Sequence, residues 1–304
     1  MPAMCDHAAD GSEKGDTTID DGIVQDRRFD VNYIDDKSDL THFHAACKYS
    51  CKEVVKEFLD LGQDPNCLAQ ESNASTIDPP LLVVLKHDCK ELVELLLRRG
   101  ANPNLSNKEG LTFLHIVCTR QNDDEFSKIF FDFNDEVHQP IKIDPQDNSG
   151  DTPLHKALSW ENKKLAELLL KRGANMNITN SHGETPLHII CDKYYDVNFV
   201  ELLLKIADDQ HQTVQVDAQD YQGRTPLFLA IENGRMKVAE LLLRRGANPN
   251  LVNAYGSTPL HVTIQHGYYV EEVMFLKIFF EIADANHQTV RVDAKDHLGQ
   301  HRCN

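Results

Sequence analysis

The sequence repeats one arrangement of apolar and polar positions, seen most clearly between residues 225 and 250. An apolar stretch over 228–231 is followed by polar residues 232–234, by a second apolar stretch over 238–243, and by the sequence Arg-Arg-Gly over 244–246. Each apolar stretch fits the buried face of a short helix, and the polar residues between them fit a turn. The pattern therefore predicts two short helices joined by a turn.

A fixed period links successive copies of this arrangement. The tetrapeptide Thr-Pro-Leu-His begins at residues 152, 185 and 258, and Thr-Pro-Leu-Phe begins at residue 225, which gives steps of 33, 40 and 33 residues. Weaker copies begin at residues 112, 79 and 41. A period of this size indicates a repeat architecture, in which each helix pair depends on its neighbours for a hydrophobic core.

Residue types at the repeat boundaries predict where the helices begin and end. A Thr at the N-cap accepts a hydrogen bond from an unpaired backbone N–H, and Pro at the first helical position has no N–H to leave unpaired. Basic residues in the last turn complement the helix dipole. The residues that follow them, Gly100, Gly173 and Gly246, can adopt the left-handed conformation that closes a helix.

Two motifs bound one nearly ideal repeat, namely Asp-x-x-Gly-x-Thr-Pro-Leu over 220–227 and Gly-Ala-Asn-Pro-Asn over 246–250. With these motifs the chain resembles the ankyrin-repeat family. The resemblance implies an all-α fold, a solenoid of stacked helix-turn-helix repeats with β-hairpin fingers and about seven repeats. We expect the array to occupy residues 29–300. The expected repeats begin near residues 36, 74, 107, 147, 180, 220 and 253.

Compact and extended repeats alternate along the chain. Thr112, Thr185 and Thr258 lie 73 residues apart, which is the length of a two-repeat block. In the extended repeats, the segments 206–217 and 282–293 replace the compact ending Arg-Gly-Ala-Asn, and a diverged segment over 133–144 occupies the same place. We expect these inserts to lengthen the second helix or its exit loop, on the same side of the stack every second repeat.

The two ends of the chain depart from the repeat. Residues 1–28 contain seven acidic and three basic residues without apolar periodicity, so we expect a disordered acidic segment. At the other end the pattern predicts Thr-Pro-Leu after residue 300, but the chain continues with His-Arg-Cys-Asn over 301–304. We interpret these four residues as an aberrant or truncated start of an eighth repeat.

The charge balance excludes some classes of partner. The formal net charge of -17 would repel nucleic acid and anionic lipid. The longest aliphatic run, over 81–85, is too short for a bilayer, and the first residues lack the features of a signal peptide. Since nothing indicates secretion into an oxidising compartment, we expect most of the eight cysteines to be reduced thiols. We interpret the protein as intracellular, in the cytoplasm rather than the nucleus, without membrane insertion.

No residue set indicates catalysis or a cofactor. The sequence lacks the phosphate loop, the dinucleotide motif, the nucleophile elbow and the His-Glu-x-x-His motif. We therefore predict that the protein is not an enzyme and needs no cofactor.

Histidines recur at one position in five repeats, where the family resemblance implies a hydrogen bond to the motif Thr. These residues are His44, His115, His155, His188 and His261. One alternative is a metal-binding or thiol-redox site at His42, His44, Cys47 and Cys51. We favour the structural role, because paired Cys-x2-Cys spacing is absent and the repeat already accounts for His44 and Cys47.

The resemblance implies that partners are bound by the finger tips and the exposed face of the first helix. The predicted partner-binding residues are Trp160, Tyr221, Arg224, Tyr255, Arg120, His182, Glu232 and His266. Large aromatic residues and Arg dominate interface energetics, so the first four are the predicted anchors. Alternatively, each of these side chains merely covers a neighbouring repeat.

The family also implies that the repeat-end residues Asn104, Asn177 and Asn250 can be targets of an asparaginyl hydroxylase.

These observations lead to one function and one alternative. We expect a noncatalytic protein–protein interaction module or scaffold, whose concave finger and first-helix surface binds a protein with a basic patch. The alternative is a substrate-recognition adaptor of a ubiquitin-ligase complex, whose C-terminal effector domain is missing from this chain. The sequence leaves the oligomeric state open.

Overall fold

The computed structural model describes residues 41–68, 78–120, 124–137, 141–266 and 270–295. The chain divides into two compact parts, an N-terminal body of residues 1–117 and 123–142, and a C-terminal body of residues 118–122 and 143–304. The expected acidic segment 1–28, the expected repeat starts near 36 and 74, and residues 301–304 lie outside the described residues.

The described residues contain helices and no β-strand, which confirms the all-α prediction. The helices of the N-terminal body are α1 His42–Lys48, α2 Lys52–Asp60, α3 Pro80–Lys86, α4 Lys90–Arg98, α5 Phe113–Cys118 and α6 Asp124–Val137. The last residue of α5, Cys118, is the first residue of the C-terminal body. Those of the C-terminal body are α7 Pro153–Ser159, α8 Lys163–Lys171, α9 Pro186–Asp192, α10 Val197–Asp209, α11 Pro226–Glu232, α12 Met236–Arg244, α13 Pro259–His266 and α14 Val270–Ala285.

Inner and outer helices form two rows in the C-terminal body. The inner helices α7, α9, α11 and α13 each contact the next in the row, and the outer helices α8, α10, α12 and α14 do the same. Leu154, Leu187 and Leu227, at the same position of successive inner helices, are fully buried. Neighbouring helix pairs therefore supply one another's hydrophobic core, as the repeat pattern predicts.

The motif Thr and His cap the inner helices and join consecutive repeats. Thr152 Oγ1 lies 2.8 Å from His155 Nδ1, and the His155 N–H donates to Thr152 Oγ1 at 3.4 Å. On its other side, His155 Nε2 lies 3.0 Å from the carbonyl oxygen of Glu184 in the next finger. His188 Nε2 lies 3.1 Å from the carbonyl oxygen of Arg224 in the same way. For His155 and His188, the structural interpretation is confirmed.

The inserts lengthen the outer helices, as expected. In compact repeats the outer helices α4, α8 and α12 have nine residues each. In extended repeats, α6 has 14 residues, α10 has 13 and α14 has 16.

The fingers differ from the expected β-hairpins, because each is a turn without paired strands. In one finger the Asn180 N–H donates to the Glu184 carbonyl at 2.9 Å, and the Gly183 N–H donates to the Asn180 carbonyl at 3.0 Å. This closes the loop within five residues, which leaves too little extended chain on either side to form a ladder.

Candidate partner-binding surface

Four fingers of the C-terminal body lie in the described residues, and each is built around a side chain that accepts two backbone hydrogen bonds. Asp220 Oδ1 accepts from the N–H groups of Gln222 at 2.9 Å and Arg224 at 2.8 Å. The same position is held by Asp147, Asn180 and Asn253 in the other fingers. Such turns fix the backbone locally, so the side chains at the tips project from a rigid base.

Backbone hydrogen bonds connect successive fingers. The Ser181 N–H donates to the Ser149 carbonyl at 2.8 Å, and the Tyr221 N–H donates to the His182 carbonyl at 2.9 Å. The Ala254 N–H continues the row by donating to the Gln222 carbonyl at 2.7 Å. The four finger tips are therefore held in register as a single row.

Glycine at the fourth finger position, three residues after the Asp or Asn described above, makes this close approach feasible. Gly183 has a φ of +77°, and an added Cβ there would lie 2.7 Å from Cδ1 of Tyr221. At Gly150, with a φ of +72°, an added Cβ would lie 2.8 Å from the Ser181 nitrogen. A residue with a side chain would therefore push neighbouring fingers apart.

The predicted aromatic anchors lie at the surface. Tyr221 is 78% exposed and Tyr255 is 70% exposed, both on the row of fingers. Trp160 is 49% exposed and forms the C-cap of α7, where the chain turns toward α8. In the described part of the chain, the side chains of Trp160 and Tyr255 form no hydrogen bond or ring contact. Tyr221, by contrast, lies against Gly183 of the preceding finger.

The predicted anchor Arg224 lies among acidic side chains. Its guanidinium binds the buried Asp220 carboxylate at 2.7 Å and lies 3.9 Å from both Glu184 and Glu232. The Arg224 side chain is one-quarter exposed. Arg224 therefore stabilises its own finger and offers only part of its guanidinium to a partner.

A second basic residue, Lys156, is placed in the same way. Its ammonium lies 2.8 Å from both Asp147 and Asp151. Burial by itself would raise the pKa of Asp147, but hydrogen bonds from Lys156 and from backbone N–H groups outweigh it and lower that pKa. Burial opposes a raised pKa for Lys156, but the hydrogen bonds to both carboxylates raise it nonetheless. Lys156 is therefore held charged within the finger region.

The other predicted residues fall into two groups. His182 and Glu232 are exposed and belong to the finger region. The His182 carbonyl accepts from the Tyr221 N–H, and the Glu232 carboxylate lies 3.9 Å from the Arg224 guanidinium. Arg120 lies apart, where its carbonyl accepts from the Asn162 side chain at 3.0 Å, next to the turn that carries Trp160. His266 ends α13, and its side chain lies outside the described residues.

The sequence analysis missed Tyr194, which is 82% exposed in the turn between α9 and α10. The Arg235 guanidinium lies 4.9 Å from the centre of the Tyr194 ring and also donates to the carbonyls of Lys193 and Tyr195. Tyr195 is buried, with its hydroxyl donating to the Leu158 carbonyl at 2.6 Å. The Tyr-Tyr pair was the available signal, because two adjacent aromatics of a turn cannot both face the core.

The alternative metal or thiol-redox site gains no support in the N-terminal body. His44 is buried with Nδ1 2.7 Å from Thr41 Oγ1, and burial lowers its pKa to about 4. Cys47 is also buried, which raises the pKa of its thiol. Within the described residues, no three His, Cys, Asp or Glu side chains are grouped so that they could hold a metal ion. Nor is any helix in those residues long and apolar enough to cross a bilayer.

Known proteins similar to this chain share the repeat. A 129-residue stretch is 35% identical to mouse Rabankyrin-5 and covers 42% of this chain and 10% of that protein. The human transient receptor potential cation channel subfamily A member 1 is 30% identical over 149 residues, covering 49% of this chain and 12% of that protein. Mouse inversin is 33% identical over 103 residues, or 34% of this chain and 10% of its own length. The chain thus spans about a tenth of these relatives.

Structural comparison and a family model agree with these matches. The ankyrin repeat domain of Bcl-3, described as a unique member of the IkappaB protein family, has a TM-score of 0.62 and 24% identity, covering 78% of this chain and 98% of that one. The likeness shows the fold. The family model for ankyrin repeats, which comprises three copies, matches residues 81–180 and 167–253. The number of about seven repeats stays a prediction. These two matched ranges together extend over more than half of the sequence, and the chain belongs to the ankyrin-repeat family.

Proposed function

We propose that this chain is a noncatalytic module that binds a protein partner through the fingers and inner-helix turns of its C-terminal body. Ankyrin repeats are protein–protein interaction modules, and the family is generally noncatalytic. The observation that carries the proposal is the exposure of Tyr221 and Tyr255 on a row of fingers held in register by backbone hydrogen bonds, with Trp160 exposed at the turn after α7. Rigid aromatic side chains lose little entropy on binding and are frequent interface anchors.

The electrostatics of the fingers favour a partner with a basic patch. Lys156 lies between two carboxylates, and Arg224 lies among three, so the acidic groups outnumber the basic ones in both clusters. An excess of negative charge accelerates association with a basic surface, and added salt screens the effect. The association rate should therefore fall as ionic strength rises. A rate independent of salt would remove the basic patch from the proposal.

Quantitative affinity purification tests the binding surface. The bait variant replaces Trp160, Tyr221 and Tyr255 with Ala. A control variant replaces Leu202 and Met274, which are also exposed but lie on outer helices. We expect proteins retained by the wild type to be retained by the control and lost from the finger variant, with all three baits having similar melting temperatures. Equal retention by the wild type and the finger variant would contradict the proposed surface.

We also propose an intracellular, cytoplasmic location. Within the described residues, the buried Cys47, Cys118 and Cys191 are thiols outside any disulfide, as expected for a reducing compartment. Subcellular fractionation tests this, and recovery with secreted or nuclear proteins would oppose it. No observation in the described residues favours the ubiquitin-ligase adaptor, so it is not proposed.

A further inference from the structure

The two described insert loops of the C-terminal body share a motif. The sequence His-Gln-Thr-Val-x-Val-Asp occupies residues 211–217 and again 287–293. In each loop the Gln side chain donates to the preceding compact repeat, from Gln212 to the Ala174 carbonyl at 2.9 Å and from Gln288 to the Gly246 carbonyl at 3.2 Å. A Gln side chain therefore ties each loop to the repeat before it.

One Asn side chain clamps each loop along its inner edge. Asn177 Nδ2 donates to the Thr213 carbonyl at 2.8 Å, and its Oδ1 accepts from the Gln215 N–H at 2.8 Å. Asn250 bonds the carbonyl of Thr289 at 2.7 Å and the N–H of Arg291 at 2.8 Å. These are the two bonds that a peptide group makes on either side of a bridged residue in a parallel β-ladder.

The clamp defines which backbone groups face the other way. In an extended segment, the N–H and C=O of the bridged residue point away from the edge that is already paired. The bridged residues are Val214 and Val290, and the backbone of neither forms a hydrogen bond in the described parts of the chain. Each loop therefore presents a short unpaired edge, held in place by an amide side chain on the opposite side.

A cleft of about 500 Å³ adjoins the first of these edges. Val214 and Val216 supply its apolar lining, and Arg245 of the next repeat lies among the other lining residues. Arg245 is paired with Asp208 at 2.9 Å. Beyond that pair, the chain that enters and leaves the first loop carries the exposed Asp209 and the partly exposed Asp217. At the second loop, Asp293 lies between the basic residues Arg291 and Lys295, so the acidic surroundings belong to the first loop.

We propose that the insert loops are a second docking surface, separate from the fingers, for an extended peptide segment of a protein partner. The segment pairs its backbone with Val214 or Val290 by strand addition, in which main-chain hydrogen bonds supply affinity and alternate side chains supply specificity. The valines favour aliphatic side chains on one face of the segment. At the first loop, the exposed Asp209 and the partly exposed Asp217 favour Lys or Arg on the other face. Asn177 and Asn250 are positioning residues for this surface.

Strand-forming probe peptides test the surface without knowledge of the natural partner. The probe is a fluorescein-labelled heptapeptide of alternating Lys and Val, and its binding to the full chain is measured by fluorescence polarisation. A second probe carries N-methyl groups on the amides of one edge, and a third has Glu in place of Lys. We expect saturable binding of the first probe and a loss of about fivefold or more with the N-methylated probe, since the lost backbone bond accounts for roughly 1 kcal/mol. The Glu probe should also bind more weakly, because its charge has the same sign as Asp209 and Asp217.

Matched protein variants locate the binding. Pro at positions 214 and 290 removes the two outward N–H groups, and its preceding residue stays in the extended region. Thr at both positions keeps those N–H groups and the β-branched shape. We expect the Pro variant to lose about fivefold in affinity and the Thr variant to stay within about twofold. Equal binding of the probe by the Pro variant, equal binding of the N-methylated probe, or no saturable binding by the wild type would overturn the proposal.

The finger variant separates this proposal from the proposed function. The protein with Ala at Trp160, Tyr221 and Tyr255 should bind the Lys-Val probe as the wild type does, because the two surfaces share no residue. Loss of probe binding in that variant would place the peptide on the fingers and overturn the insert surface. Failure of the purification experiment, in turn, leaves the probe result unchanged.

Discussion

Compact and extended repeats close their outer helices by the same hydrogen bonds but with different residues. After α12 of a compact repeat, the Gly246 N–H donates to the Leu243 carbonyl at 2.9 Å and the Ala247 N–H to the Leu242 carbonyl at 3.0 Å. After α10 of an extended repeat, the N–H groups of His211 and Gln212 make the corresponding bonds at 2.9 Å. The backbone geometry of the closure is therefore independent of the helix length and of the residue that provides it.

The extra turn of the extended helices carries both buried apolar residues and exposed polar ones. Ile206 and Ala207 in α10, and Ile282 and Ala283 in α14, are buried, so the extra turn adds to the core. The exposed Asp208 then binds Arg245 at the end of the next compact repeat. The comparison shows that the insert extends the helix pairing between neighbours and is not an added loop alone.

The largest effect that tests this comparison is the loss of a core leucine. Leu203 in α10 and Leu242 in α12 hold the same position in the two kinds of repeat, and both are fully buried. Changing either to Ala should lower the free energy of unfolding by about 2–5 kcal/mol, because each leaves a cavity. Urea unfolding measures the loss.

The half-exposed neighbour provides the control for these variants. Leu202→Ala, on the outer side of α10, should cost less than about 1 kcal/mol. If Leu203→Ala were as mild as this control while Leu242→Ala were severe, the extended repeats would not share the core of the compact ones.

Much of the fold follows from the sequence because its determinants are local. The Thr-Pro-Leu-His motif carries its own cap and its own helix start, and the apolar stripes repeat at a fixed period. The bond from His155 to the next finger is not local, and it could be predicted only through the family resemblance. Helix pairs, the alternation of lengths and the structural histidines could all be predicted.

The candidate site could be predicted only in part, because exposure and pairing depend on residues distant in the chain. Arg224 is as basic as any anchor, yet its engagement by three carboxylates depends on the packing of two fingers and α11. Residues 194 and 195 are both Tyr, so the sequence does not show which of them is buried. That depends on the hydrogen bond from Tyr195 to Leu158 and on the packing of Arg235 against Tyr194. The insert clamps likewise join residues 36 to 41 positions apart.

An intermediate effect is expected from the Asn clamps, which join a compact repeat to the extended repeat after it. Asn177→Ala and Asn250→Ala each remove two hydrogen bonds and should lower the free energy of unfolding by about 1–2 kcal/mol. The backbone N–H groups of Gln215 and Arg291, which lose their acceptors, should exchange faster with deuterium. Lys237→Ala on the exposed side of α12 serves as the control. Unchanged exchange at Gln215 in Asn177→Ala would show that the loop holds its place without the clamp.

The smallest effect, and the only one of opposite sign, concerns the residue that closes each helix. Gly246 has a φ of +87°, whereas His211 holds a φ of +56° with a side chain present. His211→Gly relieves a left-handed conformation that costs a non-glycine residue about 1 kcal/mol or more, although glycine also gains entropy in the unfolded chain. We expect a net stabilisation of about 0.5 kcal/mol, seen as a higher melting temperature.

The reverse change at the compact closure provides the comparison. Gly246→Ala should destabilise by about 1 kcal/mol, since no atom lies near the added Cβ and backbone strain is the main cost. If His211→Gly instead destabilised the protein, the His211 side chain would contribute more than its backbone strain costs, and the two closures would differ in kind.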